Sequence, residues 1–342
     1  MNIKINRKRN LAFLTIPIVF LVICIGTSIG SSNINLFDIF SIIGNKLVNI
    51  PLKENVTGQE IAIIWELRFP RVLLAFLVGG ALAVSGAVVQ SVLKNPLASP
   101  YTLGISSGAG LGAALVMIFG VNIPLIQEFS LPIVGFIFGL FTVIIVIAFA
   151  KRVDKLLSNN TIILAGMVFS LFLNAILTTI GSMHGDSLKA ISLWQMGSFS
   201  MKGWSYVKVF IPFLLIGIVG IILYTREMDI LTFGEDSAKT VGVDTNKVKT
   251  RLFLFTAILT GSAVALSGII GFVDLIAPHV VRKIFGAKHS LVIPMSFVFG
   301  GILMVITDLI SRTIISPSEL PVGAITALIG APFFAYIYFK KK

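Results

Sequence analysis

Polar side chains set inside long apolar stretches are costly to bury, so each one carries either function or packing. Gly166, Ser170, Asn174, Thr178 and Ser182 recur at every fourth position of one such stretch. At about 100° per residue each step of four gains about 40°, so the row sweeps roughly 160° around a helix and cannot face one straight wall. Its members line a polar pathway or hydrogen-bond to neighbouring helices, and for Asn174 and Thr178 both readings stand. Asp274, Asp308 and His279 are further ionisable groups in apolar surroundings and together suit a proton relay. Asp274 equally suits a helix N-cap. Asp308 precedes Arg312 by four residues and suits an ion pair on one helical face.

Other chemistries find little support. The histidines, His184, His279 and His289, are scattered without metal-ligand spacing, so no metal is expected. No nucleophile stands at a recognisable spacing from a base. GEDSAKT, from Gly234 to Thr240, imitates a phosphate-binding loop, but Ala238 stands where glycine must precede Lys239, and Phe233 occupies the first glycine position. If nucleotide drives this protein, another chain binds it, and no cofactor is expected here.

The elements that position these residues are membrane spans. Of 342 residues 56% are hydrophobic and 12% charged, with a mean hydropathy of +0.98. A soluble domain is about 25% charged. Spanning helices of roughly 20 apolar residues fit 11–29, 71–93, 103–120, 131–150, 161–182, 206–224, 251–271, 291–310 and 322–339. A shorter tenth, 275–285, is required by charge placement. With ten spans and a cytoplasmic N-terminus, 19 of the 27 Lys and Arg fall on the inner side, including Lys340, Lys341 and Lys342. Without the tenth span those three lysines lie outside, against the positive-inside tendency. The basic start followed by an apolar run suits a retained first span, since no small-residue cleavage site follows. Cys24 is the sole cysteine, which excludes an intrachain disulfide. The net charge of +12 is a matter of loop distribution here and not of nucleic acid.

Residues 79–86, GGALAVSG, and 261–268, GSAVALSG, share five identities in eight at an offset of 182. They lie in the second and seventh spans, an odd five steps apart, so the copies run in opposite directions, an inverted repeat of the kind transporters use. Gly104, Gly108 and Gly112 form a small row suited to close helix packing. Residues 225–251 hold ten of the chain's 42 charged residues in 27 positions. Glu235 and Asp236 suit a first helical turn, Lys239 the last, and Gly242 the stop. Phe233, Ala238 and Val241 then offer a small apolar face, fit for a partner's groove or simply for a solvated loop.

Several blocks of the chain resemble the FecCD-type permeases, the ten-span subunits of bacterial iron-chelate, haem and vitamin B12 ABC importers. They are LRFPRVLLAFLVGGALAVSGAVVQSVLKNPLASPYTLGISSGAGLG, ILAGMVFSLFLNAI, WQMGSFS, FGEDSAKTVGV, LIAPHVVR and TDLISRTIISPSELPVGAITALIGAPFF, in matching order. The resemblance implies an all-α, BtuC-like integral membrane protein of about ten spans, a single permease domain over 1–342 with 225–251 as its cytoplasmic coupling segment. It implies a non-catalytic subunit of a bacterial cytoplasmic membrane, both termini inside, that carries an iron chelate, a ferric siderophore above all. Its partners are then a dimer of cytoplasmic ABC ATPases, an extracytoplasmic substrate-binding protein and a second permease subunit.

The same resemblance assigns the residues. Phe233, Glu235, Asp236, Ala238, Lys239, Val241 and Gly242 dock on the ATPase; Gly166, Ser170, Asn174 and Thr178 border the pathway. Arg68, Arg71 and Arg312 receive carboxylates of the binding protein, where snorkelling to headgroups is the plainer reading. Trp194 and Trp204 bracket an outer loop as interfacial anchors or as a gate. Asp274 departs from the small residue usual in relatives.

Overall fold

The computed structural model describes residues 2–30, 35–53, 56–124 and 126–339; the expectation for Lys340, Lys341 and Lys342 lies outside them. Fifteen α-helices follow one another, and no strand occurs among the described residues. They open with α1 (Asn2–Ser28), α2 (Leu36–Val48), α3 (Gly58–Ala62), α4 (Phe69–Val92) and α5 (Ile105–Phe119). Next come α6 (Ser130–Val153), α7 (Asn159–Met183), α8 (Gly185–Gln195) and α9 (Trp204–Ile222). The remainder are α10 (Thr225–Leu231), α11 (Glu235–Thr240), α12 (Thr245–Ser267), α13 (Val273–Phe285), α14 (His289–Thr313) and α15 (Val322–Phe339). A π-helical stretch, Ile63–Arg68, joins α3 to α4.

Each expected span coincides with a helix. Six stretches, built on α4, α6, α7, α9, α12 and α14, are long and apolar enough to cross a membrane unaided. The apolar parts of α1, α5 and α15 are shorter. Helix α13 has 13 residues, about 20 Å at 1.5 Å per residue against a hydrocarbon core of about 30 Å. It is a partial crossing, because the chain leaves the helical path at Gly268 (φ +79°) and re-enters it only after Phe272 (φ +68°).

Helix α4 is the axis of the molecule, buried along nearly its whole length. It crosses α14 where Gly79 and Gly300 meet: a Cβ on either would stand 2.4 Å from the other's carbonyl oxygen. Side chains that small let two helical backbones touch, which is how helices associate when lipid offers no hydrophobic drive. Gly108 and Gly112 do the same for α5 against α6.

Packing partners exchange across the repeat. Helix α4 rests on α13 and α14, which belong to the second half, whereas α12 rests on α5 and α6 of the first. Within each half α5 lies on α6 as α13 lies on α14. The two repeat helices are antiparallel. The approach to α4 and the exit of α12 share one end, where the Trp204 indole donates to the Trp65 carbonyl (2.7 Å) and the Ser198 amide to the Ser267 carbonyl (2.7 Å). That end also holds Arg68, Arg71 and Arg312; the opposite end holds α10 and α11.

Candidate functional site

Three groups of residues come together, one at each end and one along α7. At the arginine end a cavity of about 420 Å³ is lined by Arg68, Arg71, Lys202, Arg312 and Glu319 among others. Arg71 sits in the first turn of α4 and is engaged on both edges. Its Nε and Nη2 donate to Asp308 Oδ1 at 3.1 and 2.8 Å, and its Nη1 and Nη2 to Glu319 at 2.7 and 3.0 Å. Arg312 reaches the Gly26 carbonyl and stands 3.5 Å from Asp308 Oδ2, the expected i,i+4 pair. Arg68 donates to the Ser28 carbonyl at 3.0 Å. All three guanidinium groups are turned inward. The pairing of Asp308 therefore needs a correction of emphasis, since Arg71 and not Arg312 is its main partner.

Electrostatics at this end follow from the same contacts. Burial alone would push the Glu319 carboxyl up, but the hydrogen bond and charge of Arg71, aided by Arg312, hold it below its ordinary value. Lys202, over the Tyr206 ring at 4.2 Å, is held below its ordinary value by burial, with Glu128 opposing. Four cations against two carboxylates leave the cavity net positive. Glu319 and Lys202 were not visible as site residues in the sequence: Glu319 lies within a family-like block that marks no role for it, and Lys202 in a short loop just past WQMGSFS.

Along α7 the polar row divides as its 160° sweep requires. Gly166 packs against the Thr102 backbone, and Ser170 is half-buried beside Gly104. Asn174 and Thr178 are exposed, the Thr178 hydroxyl donating back to the Asn174 carbonyl at 2.8 Å.

At the other end α10 and α11 form a compact pair. Glu235 and Asp236 occupy the first turn of α11 and Lys239 its last, an order the helix dipole favours. Gly242, at φ +87°, closes it: the Gly242 amide donates to Lys239 and the Val243 amide to Ala238, both at 3.0 Å. This double bond pattern needs a left-handed residue, which glycine adopts without strain. Phe233 and Val241 project into solvent, 81% and 66% exposed. Ala238 is fully buried and so does not join them, contrary to the three-residue face expected. Its inward side is what anchors the short helix, leaving two residues for a partner.

Two buried polar joints fix this pair to the membrane helices. Lys249 donates to the Leu157 carbonyl (2.9 Å), Asn159 Oδ1 (3.2 Å) and Glu235 Oε1 (2.5 Å). His289, 2% exposed, stands between Asp229 Oδ1 and the Ser91 hydroxyl, 2.6 Å from each. In sequence His289 is isolated; its partners are 60 and 198 residues away. Asp274 is not the N-cap of α13, a place that Phe272 takes; it lies buried in the first turn and accepts from the Ser99 hydroxyl. No group of three or more potential metal ligands gathers among the described residues.

Comparison with known proteins identifies the setting. The profile of the FecCD transport family matches residues 18–340. The hemin transport system permease HmuU of Yersinia pestis is 34% identical over 346 aligned residues, covering 100% of this chain and 98% of that protein. An uncharacterised ABC transporter permease of Bacillus subtilis, YvrB, is 46% identical over 82% of this chain and 79% of its own. The Fe(3+) dicitrate permease FecD of Escherichia coli is 32% identical over 82% and 86%. Among solved structures, an inward-facing metal-chelate type ABC transporter superposes with a TM-score of 0.84 at 27% identity, over 97% of this chain and 99% of that one. A multi-helix membrane chain with the helical architecture of a metal-chelate transporter, matched end to end by permeases, is thus a member of the FecCD transport family.

Proposed function

We propose that the protein is the permease subunit of an ABC importer that carries an iron chelate, best fitted by a ferric siderophore, across a bacterial cytoplasmic membrane. The observation that carries this reading is the α10–α11 pair: a capped helix, fastened inward by Ala238, with Phe233 and Val241 as its exposed large apolar residues. Such a pair suits insertion into a groove of an ATPase, which supplies the nucleotide site this chain's sequence lacks. The whole chain serves as one transmembrane domain with 225–251 as its coupling segment and both termini on the cytoplasmic side.

The same reading extends to the rest of the assembly. A net-positive cavity around Arg68, Arg71 and Arg312 suits the carboxylates of an extracytoplasmic binding protein, with Arg71 available once Glu319 gives way. The exposed side of α7, with Asn174 and Thr178, faces the pathway between two permease subunits. Hydrolysis belongs to the ATPase dimer, and this subunit is not itself an enzyme. A proton relay gains nothing from the geometry. Asp308 is paired at the arginine end, while Asp274 packs on Gly86, fifteen residues along α4 from Arg71 and so roughly 22 Å away at 1.5 Å per residue.

Haem is the second cargo to weigh, because the hemin permease matches this chain over its full length. The test is reconstitution in proteoliposomes with a cognate ATPase and binding protein, offering ferric siderophore, haem and cobalamin in parallel. ATP-dependent uptake of the siderophore supports the reading, and uptake of haem alone replaces the cargo. Uptake that persists without ATP and collapses with a protonophore sinks it. Phe233→Ala should loosen the ATPase, since burying one Phe is worth roughly 1.5–3 kcal/mol, and Val241→Asp should do so more severely. Normal ATPase recovery with Val241→Asp would reduce the segment to a solvated loop.

A further inference from the structure

Four elements meet on one ammonium. Lys249, in the second turn of α12, has 1% of its side chain exposed. Its acceptors are the carbonyl of Leu157 in the turn after α6, the side chain of Asn159 at the first position of α7, and the carboxylate of Glu235 at the first position of α11. An ammonium has three N–H donors and accepts nothing, so the three contacts exhaust it. The same turn of α12 makes a second contact with the α6–α7 loop, Asn246 Nδ2 donating to the Lys155 carbonyl at 2.9 Å.

Helix α7 depends on this joint more than its neighbours do. Of the six long apolar stretches it is the least buried, 22% of its apolar window against 89% for the stretch that contains α4. Within one subunit its neighbours cover little of it, and polar contacts at its first residue tie that end to α12. The α10 side of the coupling segment is tied elsewhere, through Asp229 and His289 to α14 and through Ser91 to the buried α4. One short helix is therefore fixed to the buried centre and the other, through Lys249 of α12, to the start of the span least buried within the subunit.

We propose that Lys249 is a positioning residue that transmits displacement of α11 to the start of α7, coupling movement of the ATPase to opening of the route past Asn174 and Thr178. The proposal rests on the importer reading. Without the amine, Glu235 and Asn159 lose their shared donor, and α11 moves without carrying α7.

The experiment compares substrate moved with ATP hydrolysed in proteoliposomes holding the complete importer. Lys249→Met should keep ATPase recovery and basal hydrolysis near wild type, while substrate moved per ATP falls by roughly tenfold, within the range usual for coupling between distant sites. Lys249→Arg, which keeps a buried cationic donor, should restore most of that ratio. An unchanged ratio in Lys249→Met overturns the proposal. If that variant does not assemble, Asn159→Ala decides, because it removes only the α7 side-chain acceptor: partial loss of the ratio supports the joint, and a wild-type ratio overturns it. A wild-type chain that recruits no ATPase would instead sink the importer reading and this one with it.

Discussion

Arg71 and Asp308 show how a charge is kept inside a membrane protein. Each is nearly buried, with 11% and 1% of its side chain exposed, and each is tolerable because opposite charge stands against it, Arg71 against Asp308 and Glu319, Asp308 against Arg71 and Arg312. Removing one partner of a buried pair costs about 3–5 kcal/mol, whereas replacing both can be close to neutral. Arg71→Leu should therefore lower the thermal midpoint in detergent sharply, and adding Asp308→Asn should recover part of the loss. Equal midpoints for the single and double variants would count against the pair. Glu319 adds a pH dependence whose sign is fixed. Its folded pKa lies below the ordinary value of 4.5, so its contribution is fully present above pH 4.5 and is lost as pH falls through the lower, folded value. Stability of the wild type should drop in that acid window, and Glu319→Gln should flatten the drop. The Asp308–Arg312 spacing made one ion pair legible in the sequence, since four residues is one helical turn. The Arg71 pair spans 237 residues, and only the fold brings it together. His289 was illegible for the same reason, and Lys249 registered merely as one more inner cation.

Helices were the most legible level, because an apolar run long enough to cross a bilayer has few other fates. Each of the ten expected stretches is helical, and the short ones betray where length alone misleads: α13 covers about two thirds of a crossing, and α3 leads into a π-helical stretch that no periodicity announces. The polar row of α7 was readable as a spiral, but which members are covered depends on the Thr102–Gly104 turn that packs on it. This gives a graded labelling prediction. In a Cys24→Ser background, Asn174→Cys and Thr178→Cys should react with a water-soluble thiol reagent and lose uptake once labelled, while Ser170→Cys, half-buried beside Gly104, should react far more slowly. Equal rates at the three positions would mean that the row is not divided between packing and pathway. Ala238 marks the limit of pattern reading for the coupling segment. Spacing grouped it with Phe233 and Val241, yet a six-residue helix needs one apolar side chain for its own anchorage.

At the scale of the whole molecule, five shared identities hinted at two inverted halves, and the packing shows them interlocked. Gly79 is the tightest test of that interlock. Gly79→Val would drive a branched side chain into the Gly300 backbone, 2.4 Å from where its Cβ must stand. Overpacking usually costs 1–3 kcal/mol, and a contact with backbone that has no side chain to yield falls at the top of that range or beyond it. The variant should be recovered in low yield and aggregate on solubilisation, while Gly58→Ala, in open surroundings, should behave as wild type.

The exchanged partners also dictate the order in which the chain can be completed. Helix α4 is made early, but the surface that covers Gly80 comes with Phe297, more than two hundred residues later. At roughly 5–20 residues per second of synthesis, the small-residue groove of α4 stays uncovered for roughly 10–45 s while the six intervening stretches are made. Through that interval the face of α4 that carries Gly79 and Gly80 lacks the helix that closes it. Its groove must be occupied by lipid or by the insertion machinery, and premature closure on the groove of another unfinished chain is the misassembly to which this architecture is most open.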